Sequence, residues 1–133
     1  MIAEDNQEMR DFRLLTVWEK AHQLTLDVYR ATCAFPREEQ FGLTNQLRRA
    51  ASAIPANIAE GCGKDTEADL ARYMQISMGS TSELEYHFLL VHDLTYLDGQ
   101  TYQTLNAQTV EIKRMLAPFI KRLRGQYAEM LKC

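Results

Sequence analysis

The chain has 133 residues, 46% apolar and 25% charged, which sets one globular domain able to bury a core without disulfide or metal staples. Its formal net charge of −3 excludes a polycationic nucleic-acid binder, so any such binding needs a local basic face. Cys33, Cys62 and Cys133 form no CxxC pair, which argues against a zinc clip or disulfide framework and for reduced structural thiols in a cytoplasm.

The opening "MIAEDNQEMRD" is acidic and polar, unlike a signal or transit peptide. No apolar run approaches the roughly 18 residues that a membrane span needs. Residues 1–11 read as a flexible leading segment. A first helical seam then runs through Leu14, Val17, Ala21, Leu24, Val28, Ala31 and Phe35, at steps of three and four, until Pro36 stops it. After the short "PREEQ" connection a second seam takes Leu43, Leu47, Ala50, Ile54 and Ile58.

The second helix contains the least ordinary stretch, "SAIPANIAEGCGK" at 52–64. Pro55 removes a backbone donor, which predicts a kink near Ala51 that lets Asn57 hydrogen-bond a freed carbonyl or a neighbouring helix. Gly61 and Gly63 suit positive-φ positions at the helix exit. Glu60 falls on roughly the same outer face as Arg49, placed to touch a neighbouring subunit.

Thr66 and Asp69 read as the cap of a third helix, whose seam is Leu70, Tyr73, Ser77, Ser80, Leu84, His87, Val91 and Leu94. "YLDGQ" at 96–100 is a turn, and a fourth seam follows through Leu105, Thr109, Ile112, Leu116, Phe119 and Leu123, with Gly125 near its end. Four such patterns with short connections predict an all-α, up-down antiparallel four-helix bundle over 12–125, with 126–133 as a tail. The third helix carries Met78, Tyr86, Leu89 and Leu90 off its seam, and the second has alanines at 50, 51, 53, 56 and 59. A helix apolar all round is buried on more than one side, which points to an oligomer interface. The alternative is scattered exposed apolar residues, which are common.

Candidate chemistry is thin. "EGCGK" lacks the spacing and the Ser or Thr of a phosphate loop, and reads as a glycine cap and turn. Glu19–His22 is the only ExxH, and Glu83 with His87 is an isolated i,i+4 pair, so no metal or other cofactor is expected. Ser77, Gly79, Ser80, Thr81 and Ser82 lie within a helical stretch, where small size for close packing explains them better than nucleophilic catalysis. Nothing predicts a catalytic residue or a small-molecule substrate.

Charge is distributed unevenly. Residues 60–98 hold two basic and eight acidic residues, a balance of −6, whereas 99–133 hold six basic and two acidic, a balance of +4. On the fourth helix Lys113, Arg114, Lys121 and Arg124 fall within an arc of about 100°. Such a stripe can hold nucleic-acid phosphates; equally it can be a solvated face or one paired with the acidic third helix.

Several blocks occur together in one order: Val17–Trp18 with Ala21, Phe35–Pro36, Gly42 to Ala51 with "QLRRAA", "IPANIAEG" at 54–61 and "GSTSELE" at 79–85. In these the chain, from about Phe12 to Leu123, resembles the four-helix-bundle family of 23S ribosomal RNA intervening-sequence proteins. That family is similar to accessory proteins of diversity-generating retroelements, which pair with a reverse transcriptase and RNA. The resemblance implies a non-enzymatic cyclic homo-oligomer, a pentamer, with a basic surface and an RNA or ribonucleoprotein partner. The acidic net charge departs from the basic retroelement proteins. Arg48, Arg49 and the fourth-helix stripe are then the candidate nucleic-acid contacts. The rival expectation is a protein scaffold oligomer whose stripe binds nothing.

Overall fold

The structure is a computed structural model that describes residues 10–132, with side chains described through Gly125. Most of the leading segment and Cys133 therefore lie outside the described residues, as do the side chains of the expected tail. Four helices make the fold: α1 (Thr16–Thr32), α2 (Leu43–Cys62), α3 (Glu67–Asp93) and α4 (Gly99–Lys132). Among the described residues there is no strand. Each helix packs against its chain neighbour, and α4 closes on α1, giving the up-down antiparallel bundle.

Asp11 caps a 3-10 turn at Phe12–Leu14, accepting a hydrogen bond from the Arg13 amide, and Leu15 is extended before α1 begins. This turn explains one departure from the expected seam. Leu14 precedes the helix and is 65% exposed, while Phe12 and Leu15 pack against the core in its place. The rest of the first seam is in place, with Val17, Ala21, Leu24 and Val28 buried in α1 and Phe35 buried just beyond it.

The α3 seam is also rotated from the expected one. Leu70, Ser77, Leu84, His87 and Val91 are buried as expected, but Met74, Thr81 and Phe88 complete the buried stripe. Tyr73 and Ser80 are only half-buried, and Leu94 is exposed. The 27-residue helix presents its inner face to both α2 and α4, so its apolar stripe is broad rather than a narrow line.

Pro55 sits buried inside α2, which continues beyond it to Cys62. The missing Pro55 donor frees the Ala51 carbonyl, and α1 supplies a replacement. Thr25 Oγ1 shares its proton between its own Ala21 carbonyl at 2.8 Å and the Ala51 carbonyl at 3.1 Å. On the other flank Ser77 Oγ of α3 donates to the Ile54 carbonyl at 2.9 Å. Asn57 does not take the freed group: its amide donates to Ala53 within α2 at 2.8 Å, because that carbonyl lies one turn below it on the same face.

No described glycine has positive φ, which corrects the expected role of Gly61 and Gly63. Gly63 ends α2 at φ −84°. Gly61 is buried where α2 meets α3: a Cβ there would lie 2.8 Å from Tyr73 Cβ. It is a close-approach residue. The left-handed position falls instead at Thr95 (φ 66°), where the chain turns out of α3. Gly79 corrects the other way. It is exposed, and a Cβ there would meet nothing within 4 Å, so helix proximity does not require it.

Candidate nucleic-acid interface

The basic residues singled out in the sequence belong to two places. Arg48 and Arg49 stand near the start of α2, at the end of the bundle where α1 finishes. Arg48 is half-buried and already engaged. Its Nε donates to Thr32 Oγ1 at 2.8 Å, its Nη2 to the Tyr29 carbonyl at 3.2 Å, and its guanidinium lies 4.7 Å from the Tyr29 ring centre. It therefore cross-links α2 to the last turn of α1, where a cation also suits the carbonyl end of the helix dipole. Arg49 is exposed one residue on.

The second place is α4. Its buried seam of Leu105, Thr109, Ile112, Leu116, Ile120 and Leu123 faces the core. At 100° per residue this leaves Arg114, Lys121 and Arg124 on the outer side, and all three are exposed. Lys113 lies at the edge of the same arc and is half-buried, its Nζ 2.8 Å from Glu85 of α3. Glu111 on the other edge pairs with Lys20 of α1 at 2.8 Å. That contact holds the Lys20 ammonium above its ordinary pKa, first through the hydrogen bond and then through charge. No carboxylate of the described residues pairs with Arg114, Lys121 or Arg124. Arg122, which the stripe pattern omits, is also exposed and lies 5.6 Å from the Phe119 ring centre.

The outward residues of α3 divide. Tyr86 is 58% exposed and Leu89 45%, whereas Met78 packs partly against the core and Leu90 is half-buried. Ile76, 41% exposed, lies on the other flank of α3, about 140° round the helix from Leu89. Pro55 is buried, Asn57 half-buried and Glu60 exposed.

The remaining sequence candidates have local explanations. His22 is stacked on Trp18 with ring centres 5.0 Å apart. His87 lies 4.0 Å from Glu83, and no cluster of three or more metal-type ligands occurs among the described residues. Ser77 and Thr81 are fully buried, each donating to a carbonyl, so packing and hydrogen bonding account for both. Burial pushes the Cys62 thiol up from its ordinary pKa, which keeps it protonated and inert. No helix among the described residues is long and apolar enough to cross a membrane.

Comparison with known proteins agrees with the fold. A crystal structure of a protein of unknown function from the S23 ribosomal protein family of Bacteroides thetaiotaomicron VPI-5482 superposes with a TM-score of 0.73. It shares 24% identity and covers 80% of this chain and 99% of its own. No curated protein matches the sequence. The family described as 23S rRNA-intervening sequence protein matches residues 13–118, which span α1, α2, α3 and most of α4. On that match, the chain belongs to the 23S rRNA-intervening sequence protein family.

Proposed function

We propose that the chain is a non-enzymatic, oligomeric helical-bundle module of the cytoplasm that binds RNA, bare or within a ribonucleoprotein, through the outer face of α4. The observation that carries this reading is the set of exposed cations at Arg114, Lys121 and Arg124, which have no carboxylate partner among the described residues. Lys20 and Lys113 beside them are paired. A cation without a partner can take a phosphate at no cost in broken ion pairs, while Lys113 would first have to leave Glu85. The family description, which places its members in the 23S rRNA context, supports RNA as the class of partner.

With a net charge of −3 a single chain is a weak polyanion binder, so repetition of the face in a cyclic assembly, a pentamer, supplies the affinity. Exposed Tyr86 and Leu89 on α3 are the surface proposed to build that assembly. A scaffold oligomer without RNA is the second reading, favoured by the acidic balance of α3 and by the two ion pairs that already engage the edges of the α4 face.

Binding of structured 23S rRNA fragments across a salt series separates the two. Phosphate contacts make affinity fall steeply with salt, and replacing Arg114, Lys121 and Arg124 together with Gln should flatten the log–log slope by about 2. Lys113→Gln should matter less. Absence of binding at low salt leaves the scaffold reading; an unchanged slope removes the α4 face from the interface.

A further inference from the structure

The connection between α1 and α2 presents a feature that the α4 face does not use. Phe41 is 88% exposed, more than any other large apolar side chain of the described residues. It is not carried on a loose loop. Phe35 and Tyr96 bury one side of the connection with ring centres 5.6 Å apart, and the Tyr96 hydroxyl donates to Glu39 Oε2 at 3.0 Å. Glu39 Oε1 in turn accepts from the Leu43 amide at 3.2 Å, capping α2. The backbone is tied on both sides of Phe41, yet the ring is held in water. Burying such a ring would stabilise the fold, a gain that the fold here forgoes.

Phe41 itself lines no cleft, but the chain on either side of it supplies planar and polar groups to two. Arg37 and Gln40 line a cleft of about 380 Å³ at the α1–α2 connection, whose other cation, Arg48, is held by Thr32 and Tyr29. Asn45, Gln46 and Arg49 line another of about 320 Å³ between α2 and α3. Gln40 precedes Phe41 directly, and Asn45 and Gln46 lie on the first turn of α2. A protein partner would need a contiguous apolar surface, whereas the sequence neighbours of this ring are Gln40 and Gly42. An unpaired nucleobase needs only one aromatic face to stack on, amides for its edge and guanidinium groups for its phosphates.

Resting on the RNA reading above, we propose that Phe41 is a stacking platform for an unpaired base, so that this end of the bundle selects single-stranded RNA while the α4 face holds phosphates without regard to pairing. Glu83 of α3 lines the second cleft, where its charge opposes a simple phosphate trap.

Fluorescence anisotropy with a labelled, non-self-complementary RNA of about 12 nucleotides and with its blunt duplex tests this. Phe41→Ala should lose about tenfold or more in affinity for the single strand and leave the duplex within about twofold, and Phe41→Trp should restore the loss. Because the ring is exposed, the alanine variant keeps the fold, which its circular dichroism would register. Equal affinities of wild type and Phe41→Ala for the single strand overturn the proposal, as does an equal loss on both RNAs. Duplex binding that depends on Arg114, Lys121 and Arg124 but not on Phe41 leaves the α4 interface standing and rejects this inference alone. Binding of neither RNA by the wild type rejects both. A drop in self-association on Phe41→Ala, with RNA affinity intact, assigns the ring to contacts between copies instead.

Discussion

Thr25 and Ser77 explain how α2 carries a proline in its buried middle. A proline in a helix interior costs about 3 kcal/mol, part of it from the carbonyl that loses its donor. Thr25 restores a donor to the Ala51 carbonyl and Ser77 holds the Ile54 carbonyl from the opposite flank. Thr25→Val should cost about 1–3 kcal/mol in urea denaturation, because a buried acceptor is left unpaired. In a Pro55→Ala background the Ala51 carbonyl regains its backbone donor, so the same change should cost less there. Additivity of the two substitutions would reject the pairing. Thr95 stores strain of a different kind. It is the left-handed residue after α3, and Thr95→Gly should raise stability by about 1 kcal/mol in the same assay. The sequence exposes Pro55 and its missing donor plainly. It does not expose Thr25, which answers the Ala51 carbonyl from 26 residues away, nor Thr95, because Gly61 and Gly63 advertise themselves as the turn residues and the chain uses neither that way.

At the scale of elements, two glycines on neighbouring helices should respond oppositely. Gly61→Ala pushes a methyl against Tyr73 and Leu70 where α2 meets α3, and should destabilise by about 1–3 kcal/mol. Gly79→Ala enters open space in mid-helix and should stabilise by up to about 1 kcal/mol. Thermal unfolding of the two variants checks the pair, and like signs would contradict the assignment. The start of α4 adds a pH dependence. Asp98 accepts the Thr101 amide at 2.7 Å and its hydroxyl at 3.1 Å, and the amide bond chiefly holds its carboxyl below the usual carboxylate range. The folded pKa is depressed, so this stabilisation is present above the unfolded pKa and is lost as pH falls through the folded value. Asp98→Asn should flatten the acid limb of the stability profile below about pH 4, measured by urea denaturation across pH. Four helices and their order were legible because a 3.6-residue period survives small errors of phase. Which flank of α3 is buried was not, since a helix touching two neighbours lets Tyr73 or Met74 read equally well as the stripe.

For the whole molecule, the surface was partly legible. The α4 stripe reads off the sequence as a cluster of cations, but only the fold shows Lys113 held by Glu85 and Arg48 spent on the end of α1. Phe41 gives no periodic signal, because its neighbours are connection residues and its exposure depends on Glu39 and Tyr96 tying the loop. In the proposed function, exposed α3 apolar residues assemble copies, and the repeated α4 face then holds RNA. Light scattering after size exclusion, run on the protein alone and with a structured 23S rRNA fragment at low salt, tests both together. The predicted result is several times the 15.3 kDa chain mass for the free protein, and that mass increased by the RNA in the mixture. A single-chain mass at micromolar concentration, unchanged when the RNA is added, would contradict the account.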